Sequence, residues 1–341
     1  MYYIGIDVHK EFCNIQQMTV DGDLGFEMEV PTEKKALYEL LDQLDGPVSI
    51  TFEAGRNYWA FYQIIRDHPN VANINVVDPR RSRILAQELS TRVGYGRAKN
   101  DRIDAEMLAE QDRRKLTPNI HIPPKRVMEE RALVRHRLDL VKISTSFINK
   151  LHSLLVMYGN DLSKNEFFNN QESREKAIAV LPVDLQKIVE NYYELLLKIK
   201  NQITEIEQQT VALKFNTHPY IKLIKTVPGF GDVLSSVVCV EIWDIKRFEH
   251  FTNLMSYSGL APIVDESAGK KGRIKLNPYS NRYLKYAFVY AAHHARRHPK
   301  FKKKYDADKK KHGPVRAKLN LARRLVKIVF WMLTRQQPFR D

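Results

Sequence analysis

Four carboxylates in the first third of the chain stand where they could share one task. Asp7 closes the short apolar run Tyr2-Tyr3-Ile4-Gly5-Ile6-Asp7, and Glu53 closes Val48-Ser49-Ile50-Thr51-Phe52-Glu53 in the same manner. A charge at the end of a buried strand needs a partner. Asp101 and Asp104 occupy positions i and i+3 of Asp101-Arg102-Ile103-Asp104-Ala105, on one face of a predicted helix. Carboxylates brought within a few ångströms repel one another unless cations neutralise them. An oxygen-only donor set selects Mg²⁺ or Mn²⁺ rather than zinc. Two such ions about 4 Å apart activate a nucleophile and stabilise a leaving oxygen in phosphodiester chemistry. Singly, each of these residues equally suits a turn or a helix start. His9, Lys10 and Arg102 lie beside them and suit either a substrate phosphate or a solvated loop.

A second group lies near the other end. Tyr257-Ser258-Gly259-Leu260-Ala261-Pro262 is followed by Glu266-Ser267-Ala268-Gly269-Lys270-Lys271-Gly272-Arg273. A serine in a basic, glycine-containing loop suits attack on phosphorus once a base or metal activates its hydroxyl. Lys270, Lys271 and Arg273 would stabilise charge on the phosphoryl oxygens. Upstream, Val227-Pro228-Gly229-Phe230-Gly231 between two helices resembles a helix-hairpin-helix. Gly229 and Gly231 would there let backbone N–H groups approach phosphate. A plain helix–helix turn using glycine for positive φ reads from the same residues.

The elements that must position these groups follow from hydropathy. Strands are expected near Tyr2–Val8, Phe12–Thr19, Phe26–Val30, Val48–Phe52 and Ile74–Val77. Helices are expected from a Thr32 cap to about Leu44, over Tyr58–Asp67, and over roughly 79–90 and 101–115. Three strands in a meander followed by αβαβα is the order of an α/β ribonuclease-H-like sheet. From 126 to 213 the apolar residues follow 3-4 spacing: Val134, Leu138 and Val141 begin one series, Leu185, Ile188 and Tyr192 another. Two long helices are expected there, as an antiparallel hairpin or a coiled coil between subunits. The remainder reads as mainly helical, with a loop at 262–281. The chain thus divides into 1–120, 121–214 and 215–341.

The whole chain carries 55 Lys+Arg against 40 Asp+Glu in 341 residues. The excess is not spread evenly. Residues 1–120 hold 15 basic and 19 acidic side chains, whereas 215–341 hold 26 and 9. So strong a local field attracts polyanions, of which nucleic acid is the commonest. Lys302, Lys303, Lys304, Arg323 and Arg324 are its candidate contacts. A disordered chain is excluded by 43% hydrophobic content. No apolar run reaches the roughly 18 residues of a membrane span. The N-terminus meets Asp7 and Lys10 too early for a signal-peptide core. Cys13 and Cys239 lie far apart and read as packed, reduced thiols.

The ordered set Gly5-Ile6-Asp7-Val8-His9-Lys10, Glu53, Lys99-x-Asp101-Arg102-x-Asp104-Ala105, Val227-Pro228-Gly229-Phe230-Gly231, Gly259-Leu260-x-Pro262 and Ser267-x-Gly269-Lys270 resembles the DEDD-type transposases of the insertion-sequence 110 family. Their relatives include the Piv and MooV DNA invertases. The resemblance implies a RuvC-like N-terminal domain, a coiled-coil segment and a C-terminal transposase domain. It implies metal binding by Asp7, Glu53, Asp101 and Asp104, and a covalent 5′-phosphoserine formed by Ser267. It further implies a structured non-coding bridge RNA and donor and target DNA as partners. The active site would be shared between protomers of a dimer, with two dimers in the synapse, in the nucleoid-associated cytoplasm of a prokaryote. Two departures stand out: Ala268 replaces the first of two usual glycines, and 275–282 is longer, with Ser280 where glycine is usual, which makes Ser280 or Ser258 the second choice of nucleophile. A RuvC-like junction endonuclease using activated water, or an inactive nucleic-acid-binding remnant, are the competing readings.

Overall fold

The computed structural model describes residues 1–93, 101–208, 218–264, 274–276 and 280–340, in two compact units, Met1–Ile122 and Pro123–Asp341. The first unit contains β1 (Tyr2–Val8), β2 (Phe12–Met18), β3 (Leu24–Pro31), α1 (Lys34–Asp42), β4 (Val48–Glu53), α2 (Tyr58–Ile65), β5 (Val71–Val77), α3 (Pro79–Val93) and α4 (Asp101–Arg113). The sheet order is β3-β2-β1-β4-β5. The β1–β2 and β2–β3 pairs are antiparallel, whereas β1–β4 and β4–β5 are parallel. This mixed five-stranded sheet has the strand arrangement of a ribonuclease-H-like α/β domain.

The period of two along each strand gives the sheet two unlike faces. Ile4, Ile6, Ile15, Ile50, Phe52 and Val76 form a core with Leu37, Leu40 and Leu41 of α1 and Phe61 and Ile65 of α2. Their neighbours in the strands point the other way, and these are small or polar: Gly5 and Asp7 on β1, Ser49, Thr51 and Glu53 on β4. Helix α4 lies on this second face. A Cβ built on Gly5 would stand 1.8 Å from the Ala105 carbonyl oxygen and 2.6 Å from the Ala109 nitrogen. Only glycine permits that approach, and it brings the first turn of α4 towards Asp7, two residues further along the same face. Thr32 does not cap α1. Its hydroxyl donates to the His9 carbonyl at 3.2 Å, and Glu33 holds the cap position instead.

The second unit is mostly helical: α5 (Lys125–Met157), α6 (Lys164–Asn169), α7 (Gln171–Ala179), α8 (Val183–Ile206), α9 (Pro219–Lys225), α10 (Asp232–Ile242), α11 (Phe251–Tyr257), then β6 (Pro262–Val264) and β7 (Ile274–Leu276), α12 (Arg282–Ala295), α13 (Pro299–His312) and α14 (Pro314–Arg335). Helices α5 and α8 run antiparallel within the chain: Arg137 reaches Glu207 at 2.6 Å, while Phe147, further along α5, stacks near Tyr192, earlier in α8. The apolar faces of α9, α10, α12 and α14 close a second core around Val237, Leu284, Phe288 and Leu325. The loop expected at 262–281 is in part a hairpin, because β6 and β7 pair antiparallel. Three-residue strands are too short to leave a hydropathy period. Both cysteines are buried and free. Among the described residues, no helix is long and apolar enough to cross a membrane.

Candidate active site

Parallel pairing of β1 with β4 sets Ile6 opposite Phe52, so Asp7 and Glu53 leave neighbouring strands at the same, carboxyl end of the sheet. That end is where open α/β sheets place their ligands. Asp101 and Asp104 fall in the first turn of α4, whose course over Gly5 carries them to this edge. The four acidic residues are thus brought towards one end of the sheet by three elements, and the effect shows at Asp7 and Glu53. Burial raises the Asp7 carboxyl above its ordinary range, and the charges of Asp101 and Asp104 add to the rise, against the lowering effect of His9. Glu53 is pushed up to about 7 by burial first and by the charges of Asp104 and Asp7, partly offset by a hydrogen bond with Ser82.

His9 stands inside this cluster. Its Nε2 lies 3.3 Å from Asp7 Oδ2 and 3.3 Å from Asp101 Oδ2, and its ring packs 4.8 Å from that of Phe12. One donor atom from each of Asp7, His9 and Asp101 falls within 4.8 Å of the others. The donor set suits a divalent cation: carboxylates that raise one another's affinity for protons carry the surplus negative charge that a metal neutralises. Arg102 pairs with Glu27 at 2.7 Å, and Lys10 reaches Glu11 at 4.0 Å.

In the second unit the candidates divide. Ser267, Lys270, Lys271 and Arg273 lie outside the described residues. The two ends of their segment are described, and they meet: the Asn281 backbone N–H donates to the Tyr257 carbonyl at 2.8 Å. Gly259, at φ +66, packs so closely on Ser280 that a Cβ would come 2.0 Å from its hydroxyl oxygen. Ser258 is fully buried, its hydroxyl donating to the Met255 carbonyl at 2.9 Å, which leaves it no access to substrate. Beneath lies a buried acid the sequence reading missed. Glu241, 0% exposed, accepts from Nε and Nη2 of Arg135 at 2.7 and 2.8 Å and from the Asn281 amide at 2.6 Å. An acid inside the apolar run Val237-Val238-Cys239-Val240-Glu241-Ile242 was its signature in the sequence.

Gly229 and Gly231 have different surroundings. Gly229, at φ +97, faces the backbone of α12, where a Cβ would stand 2.3 Å from the Ala291 oxygen, whereas a Cβ at Gly231 meets only open space. Gly231 precedes α10, and the first residue of that helix, Asp232, pairs with Lys225. Of the lysine run, Lys302 pairs with Asp306 at 3.1 Å, Lys303 is exposed, and Lys304 borders a cleft with Arg323 and Arg324.

A mixed sheet with carboxylates clustered at one end, in a chain with a basic helical unit, is the architecture of enzymes that cut or transfer nucleic-acid strands. Comparison with known proteins gives the same class. Residues 4–160 match the DEDD transposase model of the IS110 group, and 221–306 match the transposase model of the IS116/IS110/IS902 family. Over 255 residues the chain is 26% identical to the transposase for insertion sequence element IS1111A of Coxiella burnetii, covering 71% of this chain and 68% of that one. It is 25% identical over 294 residues to an uncharacterized 44.8 kDa protein of insertion element IS116 from Streptomyces clavuligerus, covering 72% and 73%. A transposase for IS1328 from Yersinia enterocolitica is 23% identical over 197 residues, 57% of this chain and 58% of its own. The chain belongs to the IS110 family of transposases.

Proposed function

We propose that this transposase cuts and rejoins DNA with a serine nucleophile. The observation that carries the reading is the meeting of Asp7, Glu53, Asp101 and Asp104 at one sheet edge, in a chain of this family. These four residues would hold Mg²⁺ or Mn²⁺, with His9 as a neighbour able to donate a nitrogen. When bound, the metal supplies positive charge to the phosphate and to the leaving oxygen.

Ser267 Oγ would attack the phosphorus, its proton passing to a base or solvent. The bond from phosphorus to the 3′ oxygen breaks, the leaving 3′ oxygen takes up a proton, and a 5′-phosphoserine remains. Attack by a 3′-hydroxyl of the second DNA strand reverses the exchange and frees the serine. Lys270, Lys271 and Arg273 would neutralise the phosphoryl oxygens, with Gly229, Gly231, Lys302, Lys303, Lys304, Arg323 and Arg324 contacting the backbone of nucleic acid. We extend the reading to a bridge RNA that chooses donor and target, to residues 121–214 as the dimerising segment of a tetrameric synapse, and to the nucleoid-associated cytoplasm.

Covalent trapping tests the central step. Incubation with end-labelled DNA and Mn²⁺ should give a protein–DNA adduct whose peptide carries the phosphate on Ser267. Cleavage without any adduct would favour a RuvC-like endonuclease using water.

A further inference from the structure

We propose that the cleft between α13 and α14 seats a phosphodiester of the DNA substrate and holds that strand in register with the β6–β7 hairpin. The inference rests on the strand-transfer reading above and deepens it. The cleft has a volume of about 540 Å³ and is bordered by Lys304, Arg323, Arg324 and Lys327, with Asn320 and Asp308 on the same wall.

Among the described residues, Arg323, Arg324 and Lys327 are held in place by uncharged groups. The Arg324 guanidinium lies 5.6 Å from the centre of the Phe301 ring, and the Lys327 ammonium 4.9 Å from that of Phe251. Phe301 is 1% exposed, so its ring is a fixed support. A ring holds a cation by its face and leaves N–H groups free for an acceptor. Arg323 donates through Nε to the Leu260 carbonyl at 2.8 Å and through Nη1 to Asn320 Oδ1 at 3.0 Å, both uncharged. Asp308 takes the Asn320 amide at 3.3 Å. Among the described residues, none of the four cations forms an ion pair with a carboxylate. Burial and the nearby Arg316 charge lower the affinity of Arg323 for its proton, the mark of a cation lacking an anionic neighbour.

Oriented cations without ion-pair partners among the described residues, in a concave site between helices, match the oxygens of a phosphodiester. The bond from Arg323 to Leu260 ties this site to the residue two places before β6. A strand anchored in the cleft is therefore fixed relative to the hairpin from which Ser267 is proposed to act.

The test is binding of the full chain to a labelled duplex, by fluorescence anisotropy across a salt series. The pair Arg324→Gln with Lys327→Gln should weaken binding at least about 10-fold and reduce the slope of log K against log salt by roughly 1–2. A control pair on the exposed side of α13, Lys309→Gln with Lys310→Gln, should cost no more than about 2-fold. Equal losses for the two pairs would overturn the cleft assignment. Should the Arg324/Lys327 pair fail to fold, Lys304→Gln, on an exposed side chain, carries the same comparison against Lys309→Gln alone. Failure of the unaltered chain to bind DNA would defeat the strand-transfer reading itself, a result distinct from binding that ignores the cleft. Selective loss of single-stranded RNA or polyglutamate binding in the cleft variants, with DNA binding kept, would assign the cleft to another ligand and overturn the proposal.

Discussion

Gly5 and Ala105 touch backbone to backbone: a Cβ on the glycine would stand 1.8 Å from the alanine's carbonyl oxygen. The contact seats α4 on β1 and thereby determines where Asp101 and Asp104 fall relative to Asp7. Gly5→Ala should force the helix off the strand. Overpacking of this kind costs about 1–3 kcal/mol, and more where the obstacle is backbone. Urea unfolding should report at least that loss, and stabilisation by added Mn²⁺ should vanish with it. Wild-type stability in Gly5→Ala would contradict the close approach.

Glu53 sets a pH dependence. Its carboxyl titrates near 7 in the folded protein and near 4.5 as a free side chain. The folded state therefore binds the extra proton, and this contribution to stability is present below about pH 4.5 and lost as pH rises through 7. Glu53→Gln should gain on the wild type over that interval in metal-free buffer, by roughly 1 kcal/mol once solvent screening of this half-open site is allowed for. Melting curves from pH 5 to 8 should show the two proteins diverging as pH rises, and added Mg²⁺ should shrink the gap. Parallel curves would argue against crowding of the carboxylates.

His218 works in the opposite sense. Its Nδ1 accepts the Tyr220 N–H at 3.2 Å at the start of α9, a bond only the neutral ring can make, and burial lowers its affinity for a proton. The unfolded chain then takes up the proton first, so stability falls as pH drops through about 6.5. His218→Asn keeps a capping oxygen in place of the nitrogen and should remove that slope. Retention of the slope in this variant would assign it to another group.

Ser267→Ala should abolish the adduct and all recombination while leaving DNA affinity within about 2-fold if, as proposed, the hydroxyl acts in the chemistry and not in binding. Asp104→Asn should be equally inactive with its fold intact. If acidic cluster and serine come from different protomers, mixing the two inactive proteins pairs one intact cluster with one intact serine, and activity returns. A site built within one protomer gives no recovery once subunit exchange has been shown by tagged co-purification.

Much of the first unit was legible because its strands are long enough to show a period and its acids interrupt apolar runs. Asp7 and Glu53 stood out for that reason, and the order βββαβαβα followed from spacing alone. The sequence is silent on contacts made by the lack of atoms: Gly5 reads as an ordinary strand residue until α4 is laid against it. His9 read equally as a phosphate contact or a loop residue because one of its two carboxylate partners, Asp101, lies 92 positions further along the chain. Lys302, Lys303 and Lys304 read as one charge run, yet helical geometry separates them by about 100° each and gives only Lys304 to the cleft. Arg324 and Lys327 owe their orientation to rings more than 20 residues away in sequence, which no local pattern reveals.

The closure at Asn281 and Tyr257 has a consequence for the element's history. Asn281 binds Glu241, caps α12 through Leu284, and takes the Tyr257 carbonyl, while Gly259 rests on Ser280. All of these anchors lie outside residues 265–273, so a base change there leaves every one of them standing. If Ser267 is the nucleophile, as proposed, a genomic copy that loses it keeps these anchors and would compete for DNA with its active siblings. On that reading, loss of Ser267 alone would turn an old copy into a competitor of the young ones, and the spread of the element would slow as such copies accumulate.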